Sequence, residues 1–418
     1  MALPTLEEMT RARARIRDHI VETPLRQWEY LSRSLKADAP IFLKLESLQN
    51  TGSFKVRGGT NKILKICEEG QKPACIVAAS AGNHAQAVAY AGGKLGIPTK
   101  IVMPEGAPLV KASATADYGG EVILHGIVYD DAYAKAQEIL KSTPGAVYVH
   151  AYEDPDVIAG QGTMGLEIHE QLLAAGIADD NIQVVIPIGG GGLISGVGSA
   201  LRHLRPRCKI YGVVSQAAPA MAESLKLGKV MPPPVGAKRT LAEGLAVKKV
   251  SEMTFAIIKQ IVSDIVIVDE DEIAMAIATL MERGKLVSEG AGAAGVAALL
   301  SHKLRLDPKI PTVVVLCGGN IDMNLVSNIL ERGLSRNGRW LTLQVTVEDK
   351  PGELAGLTAE LARLRANVLE VHHDRTGPLC PVGHTFIRFH LETQGRTHVK
   401  EIRHALETKG YDVEVVNK

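Results

Sequence analysis

Short apolar runs alternate with helical spacings over residues 1–330 and give way to period-two alternation from Leu341, which predicts a doubly wound α/β region followed by a small ferredoxin-like α+β module. The length agrees, since 418 residues at roughly 150 per domain is two or three domains. Runs such as Ile182, Val184, Val185, Ile186 and Val313, Val314, Val315, Leu316 are apolar on both faces, as strands between two helix layers must be.

The chain opens on Thr5 and Glu8 at capping-box spacing, and Leu6, Met9, Ala12, Ile16 and Ile20 step by three and four, predicting an amphipathic helix. Strands are expected at 74–79, 99–103, 121–124, 147–150, 183–188, 209–214, 265–268 and 312–317. Around 331–340 the sequence turns polar and basic without apolar periodicity, and a linker is expected there. Beyond it, Leu341, Leu343, Val345 and Val347 alternate as a strand, and Leu354, Leu357, Leu361 and Leu364 step as a helix. A short strand over 368–371, a strand through Ile387, Phe389 and Leu391, a helix through Val399, Ile402 and Leu406 and a strand over 411–415 complete a β-α-β-β-α-β order.

Composition excludes several classes. Lys plus Arg is 47 and Asp plus Glu is 46, so no basic excess draws the chain to nucleic acid or to an anionic membrane. Charges recur from Glu7 to Asp18, which leaves no signal-peptide core, and no run reaches the roughly 20 apolar residues of a membrane span. The five cysteines, Cys67, Cys75, Cys208, Cys317 and Cys380, form no CxxC pair, which points to a reducing cytoplasmic compartment and away from a zinc ribbon.

Four motifs carry chemistry. In SFKVRGG, Lys55 stands between Phe54 and paired glycines; a lysine that forms a Schiff base must be partly dehydrated, and Phe54 supplies an apolar neighbour. SAGNHAQ, Ser80 to Gln86, follows a buried strand and opens a helix, a turn whose free N–H groups suit a carboxylate or phosphate. GGGGL, comprising Gly189, Gly190, Gly191, Gly192 and Leu193, lets the backbone approach a phosphate. It is neither a Walker loop nor a dinucleotide fingerprint, because no Lys-Ser or Lys-Thr follows and Ile194 and Ser195 stand where a third glycine would fall. The GxGxxG at Gly290, Gly292 and Gly295 follows a helical stretch and is read as helix packing. CGGN, from Cys317, ends a third buried strand, where ligands of open α/β sheets gather. A lysine, an anion-binding turn, a phosphate cup and a small polar residue together ask for one phosphorylated carbonyl cofactor, pyridoxal phosphate.

In this order and spacing the four motifs resemble the threonine and serine dehydratase branch of the fold-type II, tryptophan-synthase β-like pyridoxal-phosphate enzymes, over roughly residues 5–330. The resemblance implies two open-sheet lobes, the smaller nested at about 55–150, within a catalytic domain of residues 1–330. The block DKPGELAGL in residues 341–418 resembles an ACT domain, a small-molecule regulatory module. By resemblance, Lys55 binds the cofactor carbonyl, Phe54 packs on its ring and Asn83 bonds the ring hydroxyl, while Gly189 to Leu193 hold the phosphate and Cys317 faces the ring nitrogen. Ser80 with the backbone of Ala81, Gly82 and His84 is expected to hold the substrate carboxylate. The implied reaction is β-elimination of L-threonine or L-serine to a 2-oxo acid and ammonia. A thiol does not hold the pyridine nitrogen protonated, so Cys317 suits elimination better than transamination.

Two departures narrow the family. Serine racemases resemble this chain but carry a serine where Ala81 stands, so the donor for reprotonation from the far side is missing. Residues 211–222 contain no acid, so the cation site of many relatives is not expected, and no metal is assigned to the site residues, with cation binding elsewhere left open. Glu289 lies near the ring in similar enzymes, but a helix cap reads equally well. His372 and His373 read as solvated strand residues without a third ligand. The loop at Pro351, Gly352 and Leu354 is the expected effector site, for isoleucine or valine, with a dimerisation module as the alternative. The resemblance implies a homodimer or homotetramer. The rival readings are racemisation or β-replacement on the same cofactor, and an amino-acid-sensing regulator that has lost catalysis.

Overall fold

The computed structural model describes residues 2–70, 72–232, 240–247, 249–375 and 380–416. The chain divides into two compact units, Met1–Asp322 and Met323–Lys418. The first unit holds two sheets. The larger runs in the order Leu25–Gln27, Ile41–Leu45, Thr312–Leu316, Gln183–Pro187, Lys209–Ser215, Val262–Val268, parallel throughout except for its first pair. The smaller is fully parallel, in the order Glu121–Leu124, Thr99–Met103, Cys75–Ala79, Ala146–Tyr148. The central strands Cys75–Ala79, Gln183–Pro187 and Thr312–Leu316 are buried along their whole length, as their unbroken apolar sequences require.

Local signals in the chain do what they predict at the first helix. The Thr5 hydroxyl accepts the Glu8 N–H at 3.2 Å, and the Glu8 carboxylate accepts the Thr5 N–H at 2.7 Å. Met9, Ala12 and Ile16 of helix Leu6–Ile16 are buried, and the helix ends a turn before Ile20. The GxGxxG likewise proves to be a packing surface on helix Gly290–Leu300. A Cβ on Gly290 would stand 2.2 Å from the Leu241 carbonyl oxygen, and one on Gly292 2.4 Å from that of Gly318.

Two strands escape the sequence reading, Leu25–Gln27 and Ile41–Leu45. The second carries Lys44, a charge that argues against a buried strand until its partners are known. Its ammonium donates to the Thr23 carbonyl and to the Glu167 carboxylate, both at 2.6 Å, and to Gln171 Oε1 at 3.0 Å. Glu167 also accepts Arg57 Nη1 at 2.5 Å and Nη2 at 2.8 Å, while Arg57 Nε and Nη2 each donate to Glu46 at 2.8 Å. All four charged side chains are buried, and each is satisfied only by the others and by nearby polar groups. This network joins strand Ile41–Leu45, helix Lys55–Glu68 and helix Pro155–Ala174.

The second unit differs from expectation at its start. Residues 331–336, read as linker, belong to helix Met323–Arg336. Its buried positions are Val326, Ile329 and Gly333, and a glycine as the last inward residue gives the polar stretch no apolar signal. The sheet that follows is antiparallel in the order Asn367–Asp374, His384–Glu392, Trp340–Glu348, Asp412–Val415. Helices Glu353–Arg363 and Arg396–Thr408 cover one face, where Leu341, Leu343, Val345, Phe389, Leu357, Leu361 and Ile402 meet in one core. Among the described residues no helix is long and apolar enough to cross a membrane.

The ion network generates a stability prediction. Arg57→Ala leaves Glu46 and Glu167 buried without their cation and is expected to cost about 3 to 5 kcal/mol. The urea midpoint of the loaded protein should fall accordingly, and an unchanged midpoint would contradict the role given to the network.

Candidate active site

Lys55 is the first residue of helix Lys55–Glu68, and Phe54 holds the position before it. The approach is fixed by backbone pairing, since Phe54 N–H donates to the Cys317 carbonyl at 3.0 Å and Ser53 bridges Gly318. The lysine amine donates to the Ala151 carbonyl at 2.8 Å and stands 5.3 Å from the Phe54 ring centroid. Burial pushes it down to about 8, against the opposing pull of Cys317 and Glu289. An amine with that value is deprotonated often enough near neutral pH to attack a carbonyl.

The residue after its carbonyl partner, Tyr152, lies across the glycine loop. A Cβ on Gly190 would stand 2.3 Å from Tyr152 Cγ, and one on Gly189 would stand 2.4 Å from the Gly244 carbonyl oxygen. Gly191 adopts φ +88°, a left-handed conformation that glycine tolerates best, and helix Gly192–Leu204 begins directly after it. A side chain at these positions would collide with Tyr152, Gly244 and Thr254, so only glycine lets the loop pack this closely. The opening N–H groups of that helix have no intrahelical acceptors, and its dipole favours an anion. Thr254 Oγ1 donates to the Gly190 carbonyl at 2.9 Å and so holds the loop from behind.

Ser80 and Gly82 follow strand Cys75–Ala79. Ser80 Oγ accepts the Gly82 N–H at 3.2 Å, and a Cβ on Gly82 would meet nothing within 4 Å, so this turn faces open space. Asn83 starts helix Asn83–Lys94, and its Nδ2 donates to Glu289 Oε1 at 2.7 Å while its Oδ1 accepts Asn320 Nδ2 at 2.8 Å. His84 points inward. Its Nε2–H donates to the Val149 carbonyl at 2.8 Å, and burial pushes it down to about 3, so the ring is neutral and only its backbone N–H is available at the helix start.

Glu289 is the residue the motifs leave ambiguous. It precedes helix Gly290–Leu300 but makes no side-chain capping bond; its carboxylate turns to Asn83 instead. Burial pushes it up to about 7, so it exchanges a proton near neutral pH. The Cys317 thiol is buried, and burial raises it well above its ordinary value, which keeps it a neutral, weak partner. The amine, the carboxyl and the thiol are close enough to perturb one another electrostatically.

Two features escape the motifs. Tyr152 carries no local mark of its place over the glycines. At the end of strand Lys209–Ser215, where no acid occurs in 211–222, the carboxylate of Glu270 arrives from another element and accepts Thr240 Oγ1 at 2.6 Å, Leu241 N–H at 2.5 Å and Ser215 Oγ at 3.3 Å. In the second unit Gly352 has φ +102° before helix Glu353–Arg363, with nothing within 4 Å of a Cβ; Pro351 is exposed and Leu354 half-buried.

These residues fit pyridoxal phosphate: a dehydrated amine, a ring-sized neighbour in Phe54 and a side-chain-free glycine loop that opens a helix N-terminus suited to a phosphate. Comparison with known proteins agrees. A family model described as pyridoxal-phosphate dependent enzyme matches residues 16–318. The chain is 46% identical over 413 residues to an L-threonine ammonia-lyase of Thermotoga maritima, with 99% of each chain covered. It is 42% identical over 325 residues to a catabolic L-threonine dehydratase of Escherichia coli, covering 78% of this chain and 95% of that one. Among solved structures, the processed form of threonine deaminase isoform 2 from Solanum lycopersicum matches at 34% identity and TM-score 0.69, covering 79% of this chain and 89% of that one. Maize serine racemase matches at 29% identity and TM-score 0.72, covering 81% and 100%. With the dehydrated lysine, the glycine cradle and the family match in agreement, the chain belongs to the pyridoxal-phosphate-dependent enzyme family of fold type II.

Proposed function

We propose that this chain is an L-threonine ammonia-lyase that also accepts L-serine, releasing 2-oxobutyrate or pyruvate and ammonia. The observation that carries the reading is the buried amine of Lys55, lowered to about 8 and bonded to the Ala151 carbonyl, next in the chain to the Tyr152 that packs on the glycine loop. The L-threonine ammonia-lyases of Thermotoga maritima and Geobacter sulfurreducens, similar over nearly the whole chain, support the substrate.

Pyridoxal phosphate supplies an electron sink for the bond broken at the substrate α-carbon. Lys55 would bind its carbonyl, Phe54 would flank the ring, Asn83 would meet the ring hydroxyl, Cys317 would face the ring nitrogen and the N–H groups of Gly189 to Leu193 would take the phosphate. Ser80 and the N–H groups of Ala81, Gly82 and His84 would hold the substrate carboxylate at the open turn after strand Cys75–Ala79. The neutral amine of Lys55 would take the α-proton at Nζ. The α-proton and the β-hydroxyl together leave as water, and the enamine product takes up one water to give the 2-oxo acid and ammonia. The Cys317 thiol, kept neutral by burial, leaves the sink weak, which suits a reaction that discharges the carbanion quickly. Ala81 offers no proton on the opposite face, which disfavours racemisation.

We also read the second unit as an ACT-like regulatory domain, with Pro351, Gly352 and Leu354 receiving an amino-acid effector such as isoleucine or valine. The open left-handed turn before a helix N-terminus supports this. Five free cysteines support a cytoplasmic setting, and the family resemblance supports a homodimer or homotetramer.

Loaded protein mixed with L-threonine should release 2-oxobutyrate and ammonia in equal amounts and no D-allo-threonine, the product of inversion at the α-carbon, as read by chiral chromatography. Appearance of D-allo-threonine without oxo acid would overturn the elimination. Lys55→Ala should lower oxo acid release by about a thousandfold or more. Uptake of pyridoxal phosphate by the apoprotein should quicken with rising pH and level off above about 8, because the attacking amine is neutral only above its lowered value. A rate that keeps rising to the ordinary lysine range would contradict a dehydrated Lys55.

A further inference from the structure

Among the described residues of the second unit the two helices cover one face of the sheet, and the opposite face brings together three ligand-type side chains that are scattered in sequence. Glu370, His372 and His390 each offer a metal-binding atom, and these atoms lie within 4.8 Å of one another. We propose that they form a binding site for zinc or a similar divalent transition-metal ion on the regulatory unit.

The backbone register builds the site. On a strand, residues two apart share a face, and directly opposed residues on neighbouring strands are side-chain neighbours. Glu370 pairs with His390 and His372 with Arg388. The pairing shifts between Val368 and Glu370, so Leu369 is an extra residue. Val368 pairs with the core residue Leu391; with unbroken alternation, Glu370 would face the core as Val368 does. The bulge turns the carboxylate to the open face beside His390, the re-aiming that bulges perform next to sites.

The donor set selects the ion. Two imidazoles and a carboxylate are the three-ligand set of an open tetrahedral zinc site, with a fourth position left for water. His372 Nε2 stands 3.3 Å from Glu370 Oε2, and the two histidine rings meet edge to face with centroids 5.7 Å apart. Bonds of zinc length place ligand atoms roughly 3.3 Å apart, so rotation of the exposed Glu370 and His372 side chains closes the set. Thr342 Oγ1 stands 3.1 Å from His390 Nδ1, an outer partner that fixes the ring and leaves Nε2 as the ligand when Nδ1 carries the proton. The nearby cation, Arg388, donates Nη2–H to Gln344 Oε1 at 2.8 Å on the neighbouring strand. A hollow of about 540 Å³ lined by Thr342, His372 and His390 gives the ion access from solvent.

The sequence reading expected no metal because His372 and His373 had no third ligand nearby. His390 lies across the hairpin and Glu370 is aimed by the bulge, and neither relation is visible in a linear pattern.

The test titrates tag-free, cofactor-loaded full-length enzyme with Zn²⁺ by calorimetry and repeats it with Co²⁺, whose visible bands report a tetrahedral site. One equivalent per chain is expected to bind. His372→Ala/His390→Ala should weaken that event by about tenfold or more and abolish the Co²⁺ bands. The same variant should keep its oxo acid release in chelator-treated buffer, which separates loss of the site from misfolding. Absence of binding to the wild type, or equal binding by the double variant, would overturn the proposal.

Discussion

Dehydration of one amine organises the catalytic unit. A lysine in water holds its proton far above neutral pH, and only removal from solvent makes it a nucleophile and base at working pH. Lys55 reaches about 8 because it is buried at the start of a helix with a single backbone carbonyl to receive its N–H. Such a position opposes its own charge and holds only if the frame around it cannot relax. Two residues on, Arg57 supplies that rigidity by locking the helix start to Glu46 and Glu167, with Lys44 completing the balance. Removing any one of the four leaves a buried charge unmatched.

Around this amine the site is assembled from strand ends. The turns after Cys75–Ala79, Gln183–Pro187 and Thr312–Leu316 bring Asn83, the glycine loop and Cys317 to the carboxyl edges of two sheets, the place where open α/β folds receive ligands. The electrostatics are graded. Cys317 is kept neutral, Glu289 sits near 7 with Asn83 as its donor, and His84 is held neutral against Val149. In the proposed reaction this arrangement gives a weak electron sink, an amine that can take a proton, and no donor at Ala81 on the far face.

Motifs in which sequence neighbours are also neighbours in space could be read directly. Lys55 beside Phe54, the glycine run and the Ser80 turn are local, and the alternation in residues 341–347 showed the last sheet. What resisted reading depends on partners distant in the chain. Strand Ile41–Leu45 was missed although only Lys44 among its five residues is polar, because the partner that lets Lys44 be buried, Glu167, is 123 positions away. Glu289 read equally well as a cap until Asn83 claimed its carboxylate, and Tyr152 had no mark at all of its contact with Gly190. Helix Met323–Arg336 was hidden because its last inward residue is Gly333.

The most direct test of the account is the attachment point of the cofactor. The loaded enzyme would be reduced with borohydride, which fixes the cofactor to its lysine, then digested and mapped by mass spectrometry. The account predicts one pyridoxyl group per chain, on the peptide containing Lys55. A label on a different lysine, or none, would contradict it.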